Sequence, residues 1–226
     1  GERGKALSKK TKSPEASAAA VNLVATVLAA KEFVQKQVPA VRENLGRLQS
    51  EIPGAGKDVD ALKSDFLAKN FTGEPEKLVR AKAVATATEA ELSKVRVAFF
   101  EQRFVAARKL LQNVGSDIQG SRNLLVEIAT RLKQLRNLRT HAKKVVGESD
   151  QFAGALKSKL ESDAFTTSKQ TDDAFARQLP LLRNQKADVA KDITDWPAAA
   201  EAADKLAADL KKVDASIDEE KKAYAL

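Results

Sequence analysis

At 226 residues and 43% hydrophobic content, the chain is long enough for one large or two small domains with a substantial buried seam. It has no cysteine, which excludes disulfides, thiol chemistry and cysteine-ligated zinc or iron–sulfur centres. Its 39 Lys and Arg against 31 Asp and Glu give a net charge of +8, a weak bias toward anionic partners that interspersed acids dilute.

One Trp, one Tyr and nine Phe stand among very frequent alanines, a composition that predicts close helix packing over an aromatic core. No uninterrupted run of eighteen apolar residues occurs, so no membrane-spanning helix is expected. Met is absent and the chain opens on "GER", which predicts a processed or incomplete product with any signal or anchor outside it.

In chain order, residues 1–12 ("GERGKALSKKTK") carry five basic side chains and one acidic one and predict a flexible basic arm. Ser13-Pro14 then marks a helix start. Val24, Val27, Val34, Val38, Val41, Leu45, Leu48 and Ile52 recur at three-and-four spacing, a long apolar stripe expected to end at "PGAG", residues 53–56. A short helix or distal cap follows over 58–69, with a turn at "NFTGEP", 70–75.

A second long helix is predicted from about Glu76 to Val146. Its early marks are Val79, Val84, Leu92, Val95, Phe99 and Phe100; its later ones are Leu111, Val114, Ile118, Leu125, Ile128, Leu132, Leu135, Ala142 and Val145 or Val146, a coiled-coil seam. Gly115 and Gly120 permit a bend or a close crossing, or merely weaken an exposed face. Gly147 offers a boundary before a third region marked by Phe152, Leu156, Leu160, Phe165, Phe175, Leu179, Leu182, Val189 and Ile193, with a kink or join at Pro180. In the last helix Trp196, Ala199, Ala203, Leu206, Leu210, Val213, Ile217 and Tyr224 form a nearly regular seam, with polar Glu220 at the missing position. These stripes predict an all-α, elongated antiparallel three- or four-helix bundle with coiled-coil-like packing and a short distal cap. Residues 13–226 form that single bundle, with a distal tip at 53–75; a parallel homodimer is the alternative partner for the seams.

The strongest charge feature is Arg122, Arg131, Lys133, Arg136, Arg139, Lys143 and Lys144, which face only Glu127 within residues 122–144, an excess of six. This is a candidate surface for an anionic partner, set against the plainer reading of a solvated scaffold face. Without interleaved aromatics or a nucleic-acid motif it does not predict specific nucleic-acid recognition. His141, the single histidine, has no HExxH or paired-histidine spacing, so no metal site is assigned. Serine-hydrolase, dinucleotide and phosphate-loop motifs are also absent, and neither a cofactor nor an enzymatic activity is expected. "NFT" makes Asn70 a candidate N-glycosylation acceptor, and Phe66, Leu67 and Phe71 are candidate distal contacts.

Four stretches, "SPEASAAAVNLVATVLAAKEF", "EPEKLVRAKAVATATEAEL", the "NFT" turn and "PAAAEAADKLAADLKKV", together resemble the alanine-rich surface-coat proteins of trypanosomes, within the wider class of variant-surface-glycoprotein-like helical ectodomains. The resemblance implies a cell-surface structural protein on the extracellular face of the plasma membrane, tethered by a C-terminal lipid (GPI) anchor outside this segment. It would form a steric coat with neighbouring coat proteins and meet a host protein at its tip. Two other readings stay open: an intracellular, cytoplasmic curved helical dimer binding acidic membrane through the basic stripe, and a helical receptor for a soluble protein.

Overall fold

The computed structural model describes residues 14–162 and 166–224, with side chains from Ala18 onward; the expected basic arm, the Ser13 cap and Phe165 lie outside the described residues. The fold is all-α, a helical bundle with antiparallel packing. Among the described residues it comprises α1 (Pro14–Asp65), α2 (Glu74–Phe100), α3 (Phe104–Leu160), α4 (Lys169–Val189) and α5 (Trp196–Tyr224), with a 3₁₀ turn at Ala68–Asn70.

The helix breaks fall elsewhere than the glycines and prolines suggest. α1 runs through Pro53, Gly54 and Gly56 to Asp65. Its buried stripe, Leu45, Leu48, Ala55, Val59 and Leu62, keeps heptad register across that stretch, and this packing outweighs the local propensity penalty. Pro39 and Pro53 lie on its exposed side, where water can hydrate the carbonyls they leave unpaired. α3 passes through Gly115, Gly120 and Gly147 for the same reason. Ala107, Leu111, Val114, Ile118, Leu125, Ile128, Leu132, Leu135, Ala142, Val146, Ala153 and Leu156 are all buried at heptad spacing, with Ser121 and Ser149 in the same row and half-buried Arg139 at its remaining position. Of the two glycines read as a bend or crossing, a Cβ added at Gly115 would lie 3.9 Å from Val41 Cγ2, ordinary contact, and one at Gly120 would face open space, so neither position requires glycine for a close crossing.

The predicted second helix instead divides at residues 101–103. The Arg103 N–H reaches back to the Ala98 carbonyl at 2.8 Å and the Gln102 N–H to Phe99 at 3.0 Å, while Gln102 takes φ 61°. This six-to-one bond around a left-handed residue closes a helix end, in a position usually held by glycine. Replacing Gln102 with Gly is therefore expected to raise stability by about 1 kcal/mol, measured as an increased urea midpoint at unchanged m-value.

α2 also carries its seam differently from the valine pattern. Leu78, Ala81, Ala85, Thr88, Val95 and Ala98 are buried, whereas Val79, Val97 and Phe100 are exposed. Alanine lets the backbones approach closely, and the Thr88 hydroxyl is satisfied within its own helix by the Val84 carbonyl at 2.7 Å.

Packing divides the chain into two compact units. Unit 1 takes in α1 as far as Gly56 and residues Pro75–Glu127. Within it α2 and α3 form a hairpin, held near its open end by Lys77–Glu127 at 2.9 Å, and α1 runs parallel to α3, with Phe33 beside Arg108, Val41 beside Gly115 and Glu51 beside Arg122.

Unit 2 takes in Lys57–Glu74 and Ile128–Leu226. Here α4 returns antiparallel to α5, and Val146, Leu156, Phe175, Leu182, Leu206 and Leu210 belong to one core. α5 buries Ala200 where Ala199 was expected, and Tyr224 is exposed. Glu220, the polar interruption of the α5 seam, has a structural purpose. Its carboxylate accepts from the Ser168 N–H (2.7 Å), the Ser168 hydroxyl (2.6 Å) and the Thr171 hydroxyl (2.6 Å), at the N-terminus of α4. Ser168 in turn caps α4 by accepting from the Thr171 N–H.

Those donors, the Ser168 hydroxyl foremost, hold the Glu220 carboxyl below its ordinary value of 4.5. A carboxyl whose folded pKa lies below its unfolded one stabilises the fold above the unfolded value, and that contribution is lost as pH falls through the folded value. Glu220→Gln is thus expected to destabilise unit 2 at neutral pH by about 0.5–2 kcal/mol, with the difference from the parent shrinking below about pH 4.5, as read from urea titrations at pH 7 and pH 3.

Candidate functional site

The basic stripe is largely committed within the units to which its residues belong. In unit 1, Arg122 grips Glu51 in a two-pronged pair, Nε to Oε2 at 2.9 Å and Nη2 to Oε1 at 2.6 Å. The hydrogen bond and charge of Arg122 pull the Glu51 carboxyl down, and Glu51 pushes the guanidinium up. In unit 2, Arg131 Nε donates to the Asn70 backbone carbonyl at 2.6 Å. Arg139 and Lys143 lie over the Trp196 ring, each 5.6 Å from its centroid. Lys144 makes a loose pair with Glu148 at 3.7 Å. Lys133 and Arg136 are exposed and enter no ion pair among the described residues. His141 Nε2 sits 2.8 Å from Asp204 Oδ1, an exposed link between α3 and α5.

The turn after α1 is similarly built inward. Phe66 and Phe71 are 3% and 7% exposed, Leu67 is half-buried and Asn70 is 6% exposed. The two rings pack as core, and the Asn70 carboxamide is enclosed, so a glycan there requires local opening. Gly73, at φ 97°, turns the chain into α2. Lys69 pairs with Asp195 at 2.5 Å and, as the largest cause, holds that carboxyl low.

The surface that charge reading passed over is apolar and belongs to unit 1. α1 extends beyond the turn joining α2 and α3: Lys31 lies over the Phe104 ring, at the first residue of α3, and Arg108 over Phe33. Residues 18–29 therefore have no helix of unit 1 alongside them among the described residues. Val21, Leu23, Val24 and Leu28 are 65%, 65%, 58% and 53% exposed, and Ala18, Ala19, Ala20, Ala25 and Ala29 are exposed with them. The expectation that no helix is apolar enough to cross a membrane changes accordingly. From Ala18, α1 is long and apolar enough to do so by length and composition, although a stretch of that length takes in the charged pair Lys31 and Glu32. Beside it the hairpin turn exposes Val97, Phe100 and Val105, with Phe99 and Phe104 edge-to-face at 5.1 Å. An apolar groove of about 290 Å³ lies between α1 and α2, lined by Val34, Val38, Pro39, Leu92, Val95 and Phe99. The sequence signal for this end was the absence of any charge from Ala16 to Ala30; periodicity alone assigned Val24 and Val27 to a buried stripe and passed over Val21, Leu23 and Leu28.

Comparison with known protein families, with curated proteins and with solved structures returns no match. The chemistry of its surfaces is therefore the guide to function.

Proposed function

We propose that this chain is a non-enzymatic structural protein of a cell surface, a helical framework with coiled-coil-like packing that works sterically, as the trypanosome coat resemblance implies. The observation that carries the reading is the commitment of the basic stripe. Arg122, Arg131, Arg139 and Lys143, the side chains best suited to an anionic ligand, are engaged in joining one segment to another. Removing them for ligand binding would break contacts that support the bundle. Under this reading exposed charge keeps neighbouring molecules soluble while packed helices exclude larger ones, and a lipid anchor outside the segment holds the coat in place.

The other readings draw less support. A curved dimer binding acidic membrane through the stripe has mainly Lys133 and Arg136 left to offer, and a receptor using the 66–71 turn has two of its three apolar contacts in the core. Antibodies against the folded chain should label intact cells that produce it, and a phospholipase that cleaves lipid anchors should release it. Labelling confined to permeabilised cells overturns the surface reading.

A further inference from the structure

We infer that the apolar end of unit 1, residues 18–29 of α1 together with the α2–α3 turn around Phe100, inserts into the interface of an anionic lipid bilayer. This inference is independent of the surface-coat reading and of the basic stripe.

The first observation is the distribution of apolar side chains. At 100° per residue, Val21, Leu23, Val24, Val27 and Leu28 occupy nearly half the circumference of α1, wider than the narrow seam that one partner helix covers. Exposed alanines fill most of the remainder. The two polar exceptions are Thr26 and Asn22, and the Thr26 hydroxyl already donates to the Asn22 carbonyl at 2.8 Å, so it enters an apolar medium without a lost hydrogen bond.

The length of the charge-free stretch, shorter than the helix itself, then favours insertion over crossing. The uncharged stretch Ala16–Ala30 has 15 residues. At about 1.5 Å per residue it covers roughly 22 Å, short of the ~30 Å hydrocarbon core. It fits entry at the interface, bounded by the charged pair Lys31 and Glu32.

Charge selects the partner. On the segments flanking this end Lys31, Lys36, Arg96, Arg103, Arg108 and Lys109 stand against Glu32 and Glu101; Arg103 pairs with Glu101, Lys31 and Arg108 lie over Phe104 and Phe33, and Lys36, Arg96 and Lys109 enter no ion pair among the described residues. In sequence, residues 1–15, which precede the apolar stretch, carry five basic side chains and two acidic ones. Two copies meeting here would bring like charges together, whereas phosphate and carboxylate headgroups would complement them, with the lysine stems reaching along the apolar surface to the headgroups. Phe100, 76% exposed at the turn, adds an aromatic side chain of the kind that anchors amphipathic elements at this depth.

The test is co-sedimentation of the purified full chain with vesicles of phosphatidylcholine alone or with 30% phosphatidylserine. Binding is expected to the mixed vesicles, reduced several-fold between about 0.1 and 0.5 M salt. The triple variant Val21→Gln, Val24→Gln, Leu28→Gln should weaken it at least about tenfold, and Phe100→Ser should weaken it independently. Val79→Gln, at a 65% exposed site on the body of α2, should leave it unchanged. The triple variant should keep the parent urea midpoint, since these side chains bury little; if it does not fold, Phe100→Ser decides. No binding by the parent chain, equal binding to neutral vesicles, or undiminished binding by the triple variant and Phe100→Ser overturns the inference. So does loss of concentration-dependent self-association in the triple variant in place of vesicle binding, which assigns the face to a second copy. Recovery from producing cells of a chain that starts near Lys31 also overturns it, since the segment would then be a removed export signal.

Discussion

Trp196→Ala is expected to lower stability by about 3–5 kcal/mol, a large part of the roughly 5–15 kcal/mol that holds a domain folded. Trp196 is fully buried at the first residue of α5, and its ring carries Arg139 and Lys143 of α3 across its faces at 5.6 Å. Truncation therefore removes the largest buried side chain and leaves two cations without their aromatic partner. Trp196→Phe keeps an aromatic face and should lose less. Urea denaturation followed by far-ultraviolet circular dichroism measures both variants; a loss under about 1 kcal/mol for the Ala variant would mean that Trp196 does not anchor α5 against α3.

Leu125→Ala is expected to cost about 2–5 kcal/mol, while Val126→Ala, one residue along the same helix, should stay within about 0.5 kcal/mol of the parent. Leu125 is 5% exposed and Val126 is 64% exposed. The two substitutions share backbone conformation and helix position, so the contrast isolates burial from helix propensity. Equal losses would mean that α3 is rotated about its axis so that Val126 is buried as deeply as Leu125. A chemical-denaturation series at one pH, with m-values held constant, is sufficient.

The reach of the sequence can be judged from particular side chains. In α3, Leu111, Val114, Ile118, Leu125, Ile128, Leu132 and Leu135 were legible as core, and all are buried. Repetition at 3.5 residues is enforced over many turns, so one misplaced residue does not erase it. In α2 the same reasoning favoured Val79 and Phe100, both exposed, over Ala81 and Ala85, both buried. Hydrophobic size is a poor guide where helices approach closely enough for only a methyl group to fit. Glu220 stood out as a gap in the α5 seam, but the donors it meets come from residues 168 and 171, some fifty positions away.

The basic stripe shows the same limit from the electrostatic side. Its residues were identified by local excess charge, yet their partners are Glu51, the Asn70 carbonyl and Trp196, each more than fifty residues distant in sequence. A count of neighbouring charges cannot register such pairs. Nor could periodicity distinguish the first turns of α1 from those after residue 30, because the stripe is similar in both and the difference is where α2 ends and α3 begins.

The sequence by itself determined that the chain is helical, that long aliphatic seams must be covered, and which α3 positions cover them, since these follow from covalent order and helical period. Only the tertiary structure decided that proline and glycine would be carried through α1 and α3, that the break would fall at Gln102, that the arginines would be spent on contacts, and that residues 18–29 would stay uncovered. Those outcomes depend on which remote segment arrives beside each residue, and the free energy of burial or pairing exists only once it has arrived.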